Sequence, residues 1–144
     1  MENFVPYELA VKLKEKGFRE KCLTYYDVED NVGLLYNTQY TDDMFPCQYA
    51  DLLQSHNTDT TVAQPDDSEN CCDAPTISQV LKWLRERKGW IIVVRLYSTN
   101  GWYWFIQDKN GELKASHLAS CDDCFATYEL AALAGIEYVI DNLI

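Results

Sequence analysis

Four cysteines have the residue type, and two of them the spacing, of a metal site. Cys121 and Cys124 are separated by two residues, and Cys71 and Cys72 could complete four sulfurs. Zinc takes such thiolates in a tetrahedral array. However, the second pair is adjacent, and two aspartates fill the gap in the first, so we expect no metal here. The same aspartates would raise the thiol pKa, which also disfavours thioredoxin-like redox chemistry.

The two histidines, His56 and His117, are the other candidates for chemistry. Cys124 with His117 could form a nucleophilic pair, but a lone histidine on a weak strand is more often an ordinary surface residue. The turn at 27–33 (DVEDNVG) suggests a calcium loop, but its glycine is at the seventh position rather than the sixth. The sequence contains no glycine-rich phosphate loop, G-x-S-x-G or H-E-x-x-H motif. We therefore predict a protein that is not an enzyme and needs no cofactor.

The net charge of −11 is concentrated in one third of the chain. The stretch from Asp27 to Asp73 holds eleven acids and no Lys or Arg, whereas the remaining residues hold 12 acids and 12 bases. Such a surface repels nucleic-acid phosphates and anionic membranes and attracts basic proteins. We therefore predict a basic protein partner, no direct nucleic-acid binding and no membrane binding. The candidate partner-binding residues are Asp42, Asp43, Asp66, Asp67 and Glu69.

Two other interpretations of the acidic stretch stay open. It could be a solvated loop that only keeps the protein soluble. It could also make the protein a DNA mimic that inhibits a host nucleic-acid enzyme, but a mimic would hold its acids in rigid rows. Several of these acids lie in a Thr-, Ser- and Pro-rich segment, so mimicry is the less favoured functional version. Nothing in the sequence indicates an oligomeric state.

The elements that must position these residues are clearest between Ala74 and Asp108. Thr76 and Gln79 have the spacing of a capping box, and an apolar stripe of Ile77, Val80, Leu81 and Leu84 predicts a helix that ends at Gly89. The β-branched and aromatic run 90–97 predicts a strand, 102–107 its return strand, and 112–118 a weaker third strand. We expect the aromatic pair of strands, with Tyr97, Trp102, Tyr103 and Trp104, to pack in the core rather than to form a stacking platform for bases.

The same order of helix, glycine, strand, turn and strand occurs near the N-terminus. A helix after Pro6 should end at Gly17, with Phe18 packing back beneath it. Strands are predicted at 22–26 and 34–36, with the turn between them. The last helix is predicted from Thr127, as its N-cap, to about Asn142. We expect its buried arc to include Leu130, Leu133, Ala134, Ile136, Val139 and Ile140.

These elements predict an α+β fold. It is an antiparallel sheet in the order αββ, αβββ and a C-terminal helix, with the helices packed on one face. At 144 residues we expect one domain, residues 1–144, with a flexible acidic loop at about 54–73. The N-terminus has no apolar signal region, and no apolar run is long enough to span a bilayer. We therefore expect a cytoplasmic protein whose six cysteines are thiols.

The chain resembles a group of small uncharacterised proteins encoded in phages and mobile elements of gut Bacteroidales. The string CDAPTISQVLKWLRERKGWIIVV, the KEKGF end of the first helix and the closing ATYELA helix carry this resemblance. The group usually has Pro where this chain has Lys21, a shorter middle loop, and no C-x-x-C before the last helix. The resemblance implies no activity. We predict a non-catalytic accessory or interaction protein, with a DNA mimic and then a zinc- or thiol-dependent enzyme as the alternatives.

Overall fold

The computed structural model describes residues 3–22, 24–27, 34–36, 71–97, 101–117 and 124–144. Its helices and strands confirm the predicted α+β class and the order of the predicted elements. The chain divides into an N-terminal unit, Phe4–Thr76, and a C-terminal unit, Ile77–Ile144 with Met1–Asn3. The assignment of residues 1–144 to one domain stays a prediction.

Helix α1 of the N-terminal unit (Tyr7–Glu15) begins after Pro6. The backbone of Pro6 is extended, with φ −63° and ψ 156°. Its buried side chains are Leu9, Ala10 and Leu13. Gly17 follows at a φ of 91°, a left-handed conformation that glycine adopts without strain. The chain then turns back, and the Phe18 amide donates to the Leu13 carbonyl over 2.9 Å. Phe18 is fully buried, as predicted.

The sheet of the N-terminal unit contains β1 (Thr24–Asp27), β2 (Leu34–Tyr36) and β3 (Cys71–Asp73) in the order β2-β1-β3. All pairs are antiparallel, with Tyr25 opposite Leu35 and Tyr26 opposite Cys72. Strand β3 occupies the last three residues of the predicted 54–73 loop. Those residues are ordered by pairing with a strand distant in sequence, which no local pattern reveals. The rest of that predicted loop lies outside the described residues.

The first helix of the C-terminal unit, α2 (Ile77–Trp83), continues into a π-helical segment, Leu84–Lys88. Gly89 closes it at a φ of 76°, and its amide donates to the Leu84 carbonyl. Ile77, Val80 and Leu84 are buried as predicted. Leu81 is only half-buried, and Trp83 is buried instead. The predicted stripe is therefore confirmed at three of its four residues and wrong at Leu81.

Strands β4 (Trp90–Leu96), β5 (Trp102–Asp108) and β6 (Leu113–Ser116) form the second antiparallel sheet, in the order β4-β5-β6. Ile92 pairs with Ile106 and Val94 with Trp104, so the even-numbered residues of both strands share a face. The odd-numbered residues share the other face, with Val93 opposite Phe105 and Arg95 opposite Tyr103.

Helix α3 (Tyr128–Asn142) covers the even-numbered face. Thr127 caps it as predicted, because its hydroxyl accepts from the Leu130 amide over 3.2 Å. Gly135 brings the helix so close that an added Cβ would lie 2.9 Å from Ile92 Cγ2 and 3.4 Å from Trp104 Cγ. In the predicted arc, Ile136, Val139 and Ile140 are buried, Leu133 and Ala134 are only half-buried, and Leu130 is 49% exposed, so the prediction was wrong at Leu130. Ala131, Ala132 and Gly135 are buried as well. Among the described residues, no helix is long and apolar enough to cross a membrane.

Candidate functional site

The predicted partner-binding acids, Asp42, Asp43, Asp66, Asp67 and Glu69, lie outside the described residues. The structure does place one other member of the acidic stretch. Asp73, in β3, is fully buried and therefore cannot form part of a solvent-facing acidic surface. The side chains of the other ten acids of the stretch lie outside the described residues, so the prediction of an acidic surface now rests on those ten.

The four candidate metal ligands differ in what the structure shows of them. Cys72 is a buried thiol of the N-terminal unit, and Cys124 is a half-buried free thiol of the C-terminal unit. Cys71 is described only through its backbone in β3, and Cys121 lies outside the described residues. Within the described part of the chain, no group of three or more His, Cys, Asp or Glu side chains could hold a metal ion.

Two thiols and a carboxylate form a buried titratable cluster in the N-terminal unit: Cys22, Cys72 and Asp73. The Cys22 thiol donates to the Glu20 carbonyl over 3.5 Å, and the Cys72 thiol donates to the Asp73 carbonyl over 3.7 Å. Burial, followed by the charges of Asp73, Cys72 and Glu20, raises the pKa of the Cys22 thiol far above its ordinary value. Because the thiolate is the nucleophile, Cys22 is an inert thiol at neutral pH.

Two other polar side chains of this unit, Thr24 and Tyr26, donate hydrogen bonds to backbone carbonyls. The buried Thr24 hydroxyl donates to the Ala74 carbonyl over 2.8 Å, which reinforces the pairing of β1 with the chain after β3. The Tyr26 hydroxyl donates to the Val5 carbonyl over 2.7 Å, and its ring meets Tyr7 edge-on at 5.5 Å. Burial, with a smaller contribution from Cys72, raises the pKa of Tyr26. These bonds tie β1 to the chain after β3 and to the segment before α1, which is a structural role.

His117 of the C-terminal unit lies between aromatic rings. Its imidazole is near-parallel to the Trp104 indole, with centroids 5.8 Å apart, and lies 4.9 Å from the Phe125 ring. The ring is half-buried, so it is a packing element rather than the surface residue that the sequence suggested. His56, the other candidate, lies outside the described residues. These ring contacts of His117 do not support a nucleophilic pair with Cys124.

The aromatic residues of the predicted strand pair divide between the two faces of the sheet. Trp104 is buried under α3 and contacts Tyr138 at 5.2 Å, which confirms core packing for that residue. Its indole N–H has no acceptor among the described residues. Tyr97 is 39% exposed, and Tyr103 is half-buried on the opposite face. The two-residue period of a strand, applied to each aromatic residue in turn, would have separated these two sets.

The second, odd-numbered face is therefore a described surface on which several aromatic side chains meet solvent. Tyr97 and Tyr103 are edge-on with centroids 6.0 Å apart, and Tyr103 and Phe105 are near-parallel at 6.2 Å. The Arg95 guanidinium lies 5.4 Å from the centroid of the Phe105 ring. Such a surface can stack on a flat group and accept a negative charge, which is binding chemistry rather than catalysis.

Searches with this chain find no matching family model, no matching curated protein and no matching solved structure.

Proposed function

We propose that this chain is a non-catalytic interaction protein that binds a basic partner protein. The observation that carries the proposal is the segregation of charge. The N-terminal unit, Phe4–Thr76, contains fourteen acids and five bases, whereas Ile77–Ile144 contains eight acids and seven bases. The C-terminal unit is thus almost neutral, and the excess charge belongs to the N-terminal unit.

Within the N-terminal unit, the bases are also separated from the acids in sequence. All five bases lie between Lys12 and Lys21, ahead of the acidic stretch, which contains none. Like charges within a Debye length of about 8 Å at physiological salt repel one another and oppose folding. The acidic stretch contains no lysine or arginine that would reduce this repulsion. It is therefore suited to a partner that supplies the cations.

The surroundings of Cys22 and His117 support a non-catalytic role. The Cys22 thiol is buried and its pKa is raised by burial, so it stays protonated at neutral pH. The His117 imidazole is engaged by two aromatic rings. The role of an accessory protein of a phage or mobile element rests on the sequence resemblance alone.

A matched pair of variants tests the proposal. One variant neutralises Asp42, Asp43, Asp66, Asp67 and Glu69 to Asn or Gln. The control neutralises five acids of the C-terminal unit, Glu86, Glu112, Glu129, Glu137 and Asp141, and so changes the net charge by the same amount. Both are used as bait in lysate of the native host, and captured proteins are identified by mass spectrometry.

We expect the parent and the control to capture the same basic protein and the first variant to lose it. Capture that is equal for all three proteins would mean that the acidic stretch is only a solubilising segment. Equal loss in both variants would mean that net charge, and not this stretch, governs association.

A further inference from the structure

The two faces of the β4-β5-β6 sheet differ in what their apolar side chains contact. On the even-numbered face, Trp104 and Ile106 are buried where α3 packs on the sheet. On the odd-numbered face of the same strand, β5, Tyr103 and Phe105 are only half-buried, although both are aromatic. The odd-numbered face therefore retains apolar and aromatic area in contact with solvent.

Three rings form a continuous row on this face, here called the aromatic ladder: Tyr97, Tyr103 and Phe105. Successive centroids are 6.0 and 6.2 Å apart. The row crosses from the end of β4 to the middle of β5, so a bound segment could contact all three rings. Rings present large apolar area with little conformational entropy to lose on binding, because each has only two side-chain torsions.

Charge decides what kind of group the aromatic ladder can accept. Among the residues that the register places on this face of β4 and β5, Arg95 is the one with a formal charge. It is exposed, and its guanidinium lies over the Phe105 ring. A partner that covered the ladder with apolar atoms alone would remove water from the guanidinium without replacing its hydrogen bonds, which is costly. The occupant must therefore bring an acceptor, and a carboxylate matches the guanidinium fork best.

We propose that the aromatic ladder and Arg95 form a binding site for a short protein segment that carries one carboxylate next to an aromatic side chain. The aromatic side chain packs on Tyr103 and Phe105, and the carboxylate pairs with Arg95. Single-stranded nucleic acid, which also stacks on rings, is disfavoured. Its backbone needs several cations along the path, whereas the described residues of β4 and β5 offer one on this face, on a chain with a net charge of −11.

The test uses the full chain and three defined probes. The probes are acetyl-Trp-Asp-amide, its uncharged analogue acetyl-Trp-Asn-amide, and single-stranded oligothymidylate. Binding is followed by ¹H–¹⁵N correlation spectra, which give both an affinity and the position of the contact. We expect the Asp peptide to shift the amides of Tyr97, Tyr103 and Phe105. It should bind roughly two- to fivefold more tightly than the Asn peptide, the range expected for an exposed ion pair.

Matched substitutions separate the site from general effects on the protein. Arg95→Gln should abolish the preference for the Asp peptide, whereas Arg85→Gln, an exposed arginine on the π-helical segment, should leave it intact. Tyr97→Ser should weaken both peptides roughly two- to tenfold through the loss of a ring contact. Tyr128→Ser is its control, because Tyr128 is also 39% exposed and also meets one ring edge-on, Trp102 at 5.6 Å, but on the other side of the sheet.

Three outcomes would overturn this site: equal binding of the two peptides, shifts centred on Tyr128, or no shift of the ladder amides at millimolar peptide. Tighter binding of oligothymidylate to the ladder would replace the peptide with nucleic acid. These results leave the proposed function untouched, because the ladder and the neutralised acids share no residue. If the protein binds its basic partner but neither peptide, only this inference is contradicted.

Discussion

The two units of this protein repeat one order of elements but bury different chemistry. Each begins with a helix, passes through a glycine in the left-handed conformation, and continues into an antiparallel hairpin; the glycines, Gly17 and Gly89, have φ values of 91° and 76°. In the C-terminal unit, α3 covers one face of the sheet, and apolar and aromatic side chains pack between the helix and the sheet. The N-terminal unit buries polar and titratable groups beside its apolar side chains: Cys22, Thr24, Cys72 and Asp73.

This difference shows that the local order of elements does not determine what a core contains. In the C-terminal unit, a 15-residue helix supplies the apolar cover. In the N-terminal unit, the third strand comes from a distant part of the chain and brings a carboxylate and a thiol into the interior. The first core depends on apolar packing, and the second depends on hydrogen bonds and on protonation as well.

The strongest test of this comparison is a matched pair of core truncations, Leu13→Ala and Leu84→Ala. Both leucines are fully buried, one in each unit. Each substitution should lower the free energy of unfolding by about 2–5 kcal/mol, from lost burial and the cavity left behind. Urea melts followed by tryptophan fluorescence measure the loss. If 1–144 is one domain, both variants will show one transition, and a transition that only one variant shifts would contradict that prediction.

Replacing Gly135 with alanine tests the close approach of α3 to its sheet. The new Cβ would lie 2.9 Å from a branched methyl group of Ile92, which cannot swing away easily. We expect a loss of about 1–3 kcal/mol in the free energy of unfolding, as for other overpacked cores. Leu130→Ala, on the exposed side of the same helix, is the control and should change stability far less. Equal stability of Gly135→Ala and the parent would mean that the helix does not sit this close.

Alkaline pH should lower the free energy of unfolding through the buried Cys22 thiol of the N-terminal unit. Burial raises the folded-state pKa of Cys22 above the ordinary value of 9.0. Its stabilising contribution is therefore complete below about pH 9. It declines as pH rises further, because the unfolded chain loses the proton first. The slope from one such group is at most about 1.4 kcal/mol per pH unit.

Urea melts between about pH 8 and about pH 10.5 measure this slope, with the pH limits chosen around the ordinary thiol pKa of 9.0. Cys22→Ala should make the dependence shallower. Leu9→Ala, which removes buried apolar atoms without removing a titrating group, should keep the parental slope. A Cys22→Ala protein with an unchanged slope would show that another group causes the alkaline loss. Tyr26, whose pKa burial also raises, would then be the next to test by Tyr26→Phe.

The smallest expected effect concerns the N-cap of α3. Thr127→Ala removes the hydroxyl that accepts from the Leu130 amide. The loss should be about 1 kcal/mol, and Thr127→Ser should restore most of it. Thermal melts of the three proteins would check this. A serine variant as unstable as the alanine variant would mean that the threonine methyl group, rather than the cap, matters at this position.

Local signals in the sequence sufficed for the elements that local physics determines. Glycine stops, the threonine cap of α3 and the β-branched run 90–97 lie where they were predicted. Strand β3 could not be predicted, because Cys71–Asp73 has no strand pattern and is fixed by pairing with β1. The burial of Asp73 follows from that pairing, so an acid counted as a surface charge was in fact an interior one.

The faces of helices and strands were harder to predict than their bounds. The sequence analysis predicted that Leu130 is buried and that Tyr97 packs in the same core as Trp104. Residue spacing argues against both predictions. Leu130 lies away from the Gly135 side of its helix, and an odd and an even strand position face opposite ways. The candidate partner-binding acids fall outside the described residues, so they stay a prediction from charge alone.

The most direct measurement of the central claim is the salt dependence of affinity between this protein and the partner that it captures. Calorimetric titrations from about 0.01 M to about 0.15 M salt shorten the Debye length from about 30 Å to about 8 Å. We predict that affinity falls steeply over this range for the parent and for the C-terminal charge control. It should be weak and nearly salt-independent for the variant neutralised at Asp42, Asp43, Asp66, Asp67 and Glu69. The same steep dependence in all three proteins would contradict the assignment of partner binding to the acidic stretch.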